Sequence, residues 1–244
     1  MKAMTAFWNV IKKDMKNYYL KPPNISWGII FPFAWTLMFF LKSRTQFDVK
    51  SILPGIIAMS ILFGTTSMLA VTITFERKGR SFERLLLSPL NLNLLMIAKT
   101  GGAVFFGIIN AFVPILFSLI WVSLKGTDWT ALSVSIVFIA LTSTFFGLFI
   151  AVSVSEVFEA QTFSNFFRFP MVFLCGLFIP LDELPVFLRP LSYFLPLTYG
   201  ADILKTAING NGALNQGISF AMLGLFSLFL FILSIRNVKT KWIN

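Results

Sequence analysis

Hydrophobic positions in this chain run in long blocks, and the charges are confined to the gaps between them. Residues 100–124, 129–155 and 206–235 hold 25, 27 and 30 positions without one Asp, Glu, Lys or Arg. About 20 apolar residues carry a helix across the hydrocarbon of a bilayer, and a water-soluble core helix rarely runs so far uncharged. The blocks predict six spanning helices at about 25–41, 51–75, 100–124, 130–155, 161–181 and 214–235. The expected fold class is an all-α integral membrane protein, one domain over residues 1–244 with no internal repeat.

The gaps carry patterns of their own. Over residues 4–21, Phe7, Ile11, Met15 and Tyr18 recur at helical spacing while Lys12, Lys13 and Lys16 take the other sides. That predicts an amphipathic helix lying at the membrane interface with Trp8 and Tyr19 at headgroup depth, ended by Pro22 and Pro23. Pro32 kinks the first span or marks its start. Gly64, Thr65, Thr66 and Ser67 in the second span either admit a neighbouring helix or lend polarity to a pathway. Residues 182–210 are neither a clean span nor an ordinary loop, and Pro180, Pro185, Pro190 and Pro196 punctuate this region. Two short helices dipping in from one face fit that composition, since irregular backbone at membrane depth needs shelter; a plain extracellular loop is the alternative.

Charge then orients the array. Of 20 basic residues, 13 fall in the amino-terminal segment, the segment after span two and the tail, and 6 on the opposite side. The bias puts both termini in the cytoplasm of a multi-pass plasma-membrane protein. The net charge of +10 thus follows the lipid bilayer as partner, with no nucleic acid, because no basic stripe is interleaved with a stacking platform. The amino terminus lacks the apolar core and cleavage pattern of a signal peptide. Histidine is absent and Cys175 is the one cysteine, so no metal site and no internal disulfide is expected. No phosphate-binding G-x-x-x-x-G-K-[ST] and no G-x-S-x-G elbow occurs. The chain reads as a non-catalytic subunit, not an enzyme.

The segment FERKGRSFERLLLSPL, residues 75–90, joins spans two and three on the cytoplasmic side. Past Gly79, Phe82, Leu85, Leu86 and Pro89 share one helical face, and Arg80, Glu83 and Arg84 lie off it. Such a helix either lies on the lipid surface or docks on a partner. Here the chain resembles permeases of the type-2 ABC exporter family, in particular the drug-resistance and nodulation-factor export branch. The resemblance rests on Glu76, Arg77, Gly79, Glu83, Leu85, Leu86, Ser88, Pro89 and Leu90, then on Pro170, Gly176, Pro180, Leu184, Pro185, Pro196, Leu197, Thr198 and Tyr199, in family order over nearly the whole chain. Arg80 departs from it, standing where the family has a small or hydroxyl residue.

The resemblance implies a dimer of permeases, identical or not, above ABC ATPase subunits that hold ATP and Mg; this chain binds no cofactor. It implies a cytoplasmic coupling helix over 76–90, with Glu76, Arg77, Gly79, Arg80, Glu83, Arg84, Leu85, Leu86 and Pro89 as ATPase-coupling residues. It also implies an outer gate at Gly176, Pro180, Pro185, Pro196 and Tyr199. Phenylalanine supplies 30 of 244 residues. Those side chains either face lipid or line a route for an amphipathic substrate, for which Phe33, Trp35, Phe39, Phe166, Phe169 and Phe173 are candidates. Arg168, inside span five, is expected to snorkel or to pair with Glu156 or Glu159, with substrate contact as the alternative. The function expected is export of a drug-like or lipid-like molecule. Polysaccharide or glycolipid export is the nearest rival, and a non-transporting scaffold or intramembrane enzyme the rival of another class.

Overall fold

A computed structural model of the chain describes residues 2–42, 49–87 and 90–243. Every regular element among them is helical. The chain opens with α1 (Lys2–Asp14), which continues into a π-helical turn, Met15–Tyr19. The short α2 (Pro22–Ile25) runs through a second π-helical turn, Ser26–Ile30, into α3 (Phe31–Lys42). The wider turn is the local answer to Pro32. Its ring removes a donor from the ladder, and the Phe31 N–H reaches back five residues to the Ser26 carbonyl. Then follow α4 (Val49–Lys78), α5 (Ser81–Leu86), α6 (Leu92–Trp121), α7 (Trp129–Ser153) and α8 (Val157–Leu174), then α9 (Arg189–Tyr193), α10 (Pro196–Asn209) and α11 (Gln216–Val238), with a last π-helical turn, Lys239–Ile243.

Among the described residues, four helices are long and apolar enough to cross a membrane: Lys50–Lys78, Leu92–Ile120, Trp129–Ser153 and Gln216–Trp242. They differ in how much of themselves they hide. The apolar window of α4 is 94% buried and that of α11 28%, so α4 is the central rod and α11 sits at the periphery. Around α4 pack α6, α7, α8 and α10. Although α10 is no span by length, it is buried along nearly its whole course against α4, α7 and α11.

Close approach along α4 depends on small residues. The hydroxyl of Thr66 donates to the Ser143 carbonyl at 3.1 Å, and one turn further on a Cβ at Gly147 would stand 2.3 Å from the Thr66 carbonyl oxygen. Gly107 of α6 meets the Thr65 methyl in the same way, at 2.4 Å. The hydroxyl run of span two therefore serves helix contact at these positions. Gly147→Ala is expected to push α7 off α4 and to cost about 1–3 kcal/mol. Gly55→Ala, where the added carbon finds ordinary contact at 3.8 Å, is expected to be neutral or slightly stabilising through helix propensity. Thermal unfolding of the two purified variants checks the pair.

Helix ends carry the expected chemistry. Asp128 caps α7 by accepting from the Thr130 and Ala131 N–H groups at 3.0 Å, and Asn215 and Asn91 cap α11 and α6. Glu156 and Glu159 form a capping box at the start of α8.

Candidate functional site

At one end of the bundle four elements converge: α1, the last turn of α4 with α5, the first turns of α6, and the carboxy-terminal turn. Here α4 runs on through Glu76 to Lys78, so the segment expected as one coupling helix divides into the end of a rod and a separate short helix. The break falls at Arg80, the one non-glycine with left-handed backbone among the described residues (φ 53°). Its N–H bonds to the Arg77 carbonyl at 3.0 Å, and the Ser81 hydroxyl bonds to the Glu76 carbonyl at 3.0 Å. A helix end normally gives such a position to glycine. Holding an arginine there costs on the order of 1 kcal/mol, supplied by the packing of α5 behind it.

Glu76 does not face outward. Its carboxylate is fully buried and bonds Lys13 of α1 at 2.5 Å and Lys99 of α6. Lys99, fully buried too, also reaches both oxygens of Asp14 at 2.9 and 3.1 Å, and Lys13 lies 3.3 Å from Asp14. Two carboxylates and two ammonium groups thus form a closed, charge-balanced knot among α1, α4 and α6. Burial alone would lower the Lys13 pKa; the hydrogen bond to Glu76 and the charges of Asp14 and Glu76 outweigh it and raise it. Burial, joined by the charge of Glu76, lifts Asp14 above the usual carboxylate range against the pull of Lys99 and Lys13.

Tyr19, expected at headgroup depth, is instead wholly buried beside this knot, its ring 5.7 Å from that of Phe106 and against Gly102. Trp8 is the exposed aromatic of the amino-terminal helix. The remaining charges of the α4 end reach sideways. Arg77 donates to the Val154 carbonyl at 3.1 Å, and Lys78 pairs with Glu156 at the turn between α7 and α8.

The apolar stripe of α5 is consumed within the chain. Phe82 is buried among Tyr19, Met68, Met96 and Val238, and Leu85 and Leu86 pack with Val10, Leu90 and Leu95. What α5 leaves outside is Arg80, Glu83, Arg84 and Leu87. Pro89 lies outside the described residues. Sequence reasoning missed Trp242. Its ring stands edge-on to Phe82 at 5.1 Å with the Arg77 guanidinium 5.0 Å from its centre, so the carboxy-terminal turn also packs on α5. A tryptophan in a basic tail was the available signal.

The other end of the bundle holds the expected gate residues. Gly176, in the left-handed region (φ 78°), turns the chain out of α8, and its carbonyl accepts from Lys205 of α10. Turns follow at Pro180 and Pro185, whose carbonyls accept from the Glu183 and Leu188 N–H groups. Pro196 opens α10, and the Tyr199 hydroxyl donates to the Tyr193 carbonyl at 2.8 Å. Between Gly176, Pro180, Asp202 and Lys205 lies a cavity of about 350 Å³. Asp202 accepts from the Ala213 and Leu214 N–H groups at 2.6 and 3.1 Å and holds the turn into α11.

A sequence profile of the ABC-2 type transporter matches residues 5–209, a stretch that includes the knot, α5 and residues 176–199. The chain belongs to the ABC-2 type transporter family. Among curated relatives, the inner membrane transport permease YadH of Escherichia coli K12 is 23% identical over 185 residues, covering 76% of this chain and 72% of YadH. Nodulation protein J of Bradyrhizobium diazoefficiens is 24% identical over 192 residues, covering 77% and 72%. The E. coli K12 protein named "Probable multidrug ABC transporter permease YbhR" is 26% identical over 157 residues, covering 63% of this chain and 42% of that one. This ABC-2 chain is a membrane protein whose relatives are transport permeases.

The aromatic candidates separate. Phe169 joins Phe63 at 5.7 Å and Phe31 at 6.5 Å, while Phe33 packs on Phe117 of α6 at 4.8 Å. Phe166 and Phe173 stand exposed on α8. The side chains of Trp35 and Phe39 lie outside the described residues. Arg168 neither snorkels nor pairs with a glutamate. Glu156 is taken by Lys78, and Glu159 accepts from the Ser155 and Glu156 N–H groups. Arg168 is fully buried instead. It donates to the Ser164 and Phe63 carbonyls at 3.2 and 3.3 Å and to Asn165, with its guanidinium 4.4 Å from the Phe63 ring centre. Its distance from either end of α8 explains the correction, since the side chain reaches backbone acceptors of α4 before it reaches water.

Proposed function

We propose that this chain is the transmembrane subunit of an ATP-driven exporter that moves an amphipathic or apolar molecule, drug-like or lipid-like, out of the cytoplasm. The helical run 22–42 and α8 complete six spans with the four long helices, both termini are cytoplasmic, and α9 and α10 dip in from the outer face to form the gate. ATP and Mg belong to a separate ABC ATPase, and a second permease protomer completes the unit. The relatives' names, a multidrug permease and a nodulation protein among them, agree with this class of work.

One observation carries the reading: α5 presents Arg80, Glu83, Arg84 and Leu87 outward while its other face is fastened to α1, α6 and Trp242. A short helix gripped on its inner side and charged on its outer side transmits a push. It is continuous, through one strained residue, with the most buried rod of the bundle, so displacement at the ATPase reaches the helices around α4 as a rigid-body motion. The exposed face of α8 bears Phe158, Phe163, Phe166 and Phe173 with Glu159 and Thr162. It is more polar than a lipid-facing helix needs and suits the second protomer.

Labelling tests the reading. The one cysteine, Cys175, is buried, so Leu87→Cys offers a new thiol against a quiet background. A membrane-impermeant maleimide is expected to label it in inverted vesicles and not in intact cells. The ATPase is expected to co-purify with the permease and to be stimulated by substrate. Labelling from outside the cell would put α5 beyond any cytoplasmic ATPase and end the proposal.

A further inference from the structure

Arg168 is a charge without a counter-ion. It lies roughly 17 Å along α8 from the helix start, fully buried, and among the described residues no carboxylate comes within ion-pair distance of it. Three acceptors hold it, two of them main-chain carbonyls, so its hydrogen bonds are partly met and its charge is not. A guanidinium is a cation at neutral pH, and an uncompensated ion in a low-dielectric interior costs several kcal/mol.

Among the described residues no carboxylate is placed to neutralise it. Of the nine described carboxylates, eight stand at helix ends or in the connections between helices. The ninth, Asp202, is occupied by the Ala213 and Leu214 N–H groups and the Ser219 hydroxyl. In a second copy the exposed carboxylate of α8, Glu159, is likewise held at the helix start by the Ser155 and Glu156 N–H groups. No described carboxylate supplies the missing anion, which leaves a bound ligand as its source.

The surroundings say what kind of anion. The guanidinium lies over Phe63, whose ring also meets Phe31, Phe169 and Trp27 at 4.8, 5.7 and 6.3 Å, an aromatic cluster shared by the first helical run, α4 and α8. Its third acceptor, Asn165, is half-buried on the edge of the α8 face that exposes Phe166. Asn165 is a side-chain partner, so it can turn away and free an N–H for an arriving oxyanion. We propose that Arg168 is the head-group site of the transport route. It selects amphiphiles that carry a phosphate, sulfate or carboxylate, whose apolar portion lies along the aromatic face of α8. This substrate class rests on the exporter reading above.

The test uses the permease co-purified with its ATPase in phosphatidylcholine nanodiscs. Three probes share one alkyl chain: dodecyl phosphate, dodecylphosphocholine and dodecyltrimethylammonium. Binding is measured directly, and ATPase stimulation alongside it. The wild type is expected to bind dodecyl phosphate at least about tenfold more tightly than the other two, the worth of a charge-assisted hydrogen bond. Arg168→Lys is expected to keep the order with a smaller ratio, and Arg168→Gln to bring the three probes level. Competition by phosphatidylglycerol identifies an anionic lipid as the natural source and its failure a non-lipid amphiphile; either result supports an anionic occupant. A wild type without charge preference overturns the proposal. So does an Arg168→Gln variant that keeps the preference, or one that weakens all three probes equally as its melting temperature falls, the behaviour of a purely structural arginine. A charge preference in binding with no ATPase response to any probe counts against the exporter reading and leaves the anion site standing.

Discussion

Replacing Glu76 by Ala is expected to cost about 3–5 kcal/mol, because it strands two lysines that now share one carboxylate at the joint of three helices. Lys99 has no exposure and keeps Asp14 alone, while Lys13, with a third of its side chain exposed, can turn to water. The loss therefore sits toward the lower end of that range. Undocking of α1 is the expected form of the damage. Hydrogen exchange over residues 2–19 should rise to the level of a surface helix, and the melting temperature should fall. Glu76→Gln keeps the shape and one acceptor and is expected to cost less. The informative companion replaces Lys13, Asp14, Glu76 and Lys99 together by Met, Leu, Leu and Met. Apolar substitutes for a complete buried ion set are commonly neutral or stabilising, so this variant is expected to recover the melting temperature. If it recovers transport as well, the knot is packing and nothing more. If stability returns and ATP hydrolysis stays uncoupled, the ion set holds the register of α1 against the α4 end, the use of buried polar groups that geometry supports here.

That joint also marks where sequence reasoning ends. Apolar block length placed the rods well: 51–75, 130–155 and 214–235 were expected, and α4, α7 and α11 occupy Val49–Lys78, Trp129–Ser153 and Gln216–Val238. The third rod begins at Leu92, earlier than the expected 100, because Lys99 reads as a boundary until its partners appear. Asp14 is 85 residues away and Glu76 lies on another helix. A charge marks a helix end only while water is its solvent, and here two carboxylates replace the water. The same blindness to distant partners hid Trp242, whose ring matters only because Phe82 lies beneath it, and misassigned Arg168, whose acceptor on Phe63 is 105 residues back. The fifth rod was drawn too far, to 181. Gly176 takes a left-handed turn, and α8 stops at Leu174. Periodicity did resolve α5, because a six-residue helix has two faces whatever covers them. It indicated which residues are apolar on one side, but not that the chain's own termini take that side.

In the proposed coupling to an ATPase the apolar side of α5 is already taken, so the charged side makes the contact, and Glu83→Lys is expected to separate transport from assembly. Glu83 and Arg84 are exposed and make no ion pair among the described residues, so reversal should leave the melting temperature within about 0.5 kcal/mol of the wild type. Against a complementary partner surface the same reversal sets like charges together, which costs several kcal/mol where the groups are desolvated. Substrate-stimulated ATP hydrolysis and transport in proteoliposomes are therefore expected to drop at least about tenfold, and Arg84→Glu should act in the same direction. Phe82→Ala gives the contrasting signature. It empties a buried site beneath Trp242 and should lose about 3–5 kcal/mol of stability together with coupling, since the lever then moves without its mount. A Glu83→Lys permease that folds, binds its ATPase and transports at the wild-type rate would mean that the push enters elsewhere. The exposed flank of α1, with Met4 and Trp8 uncovered, would be the next surface to reverse.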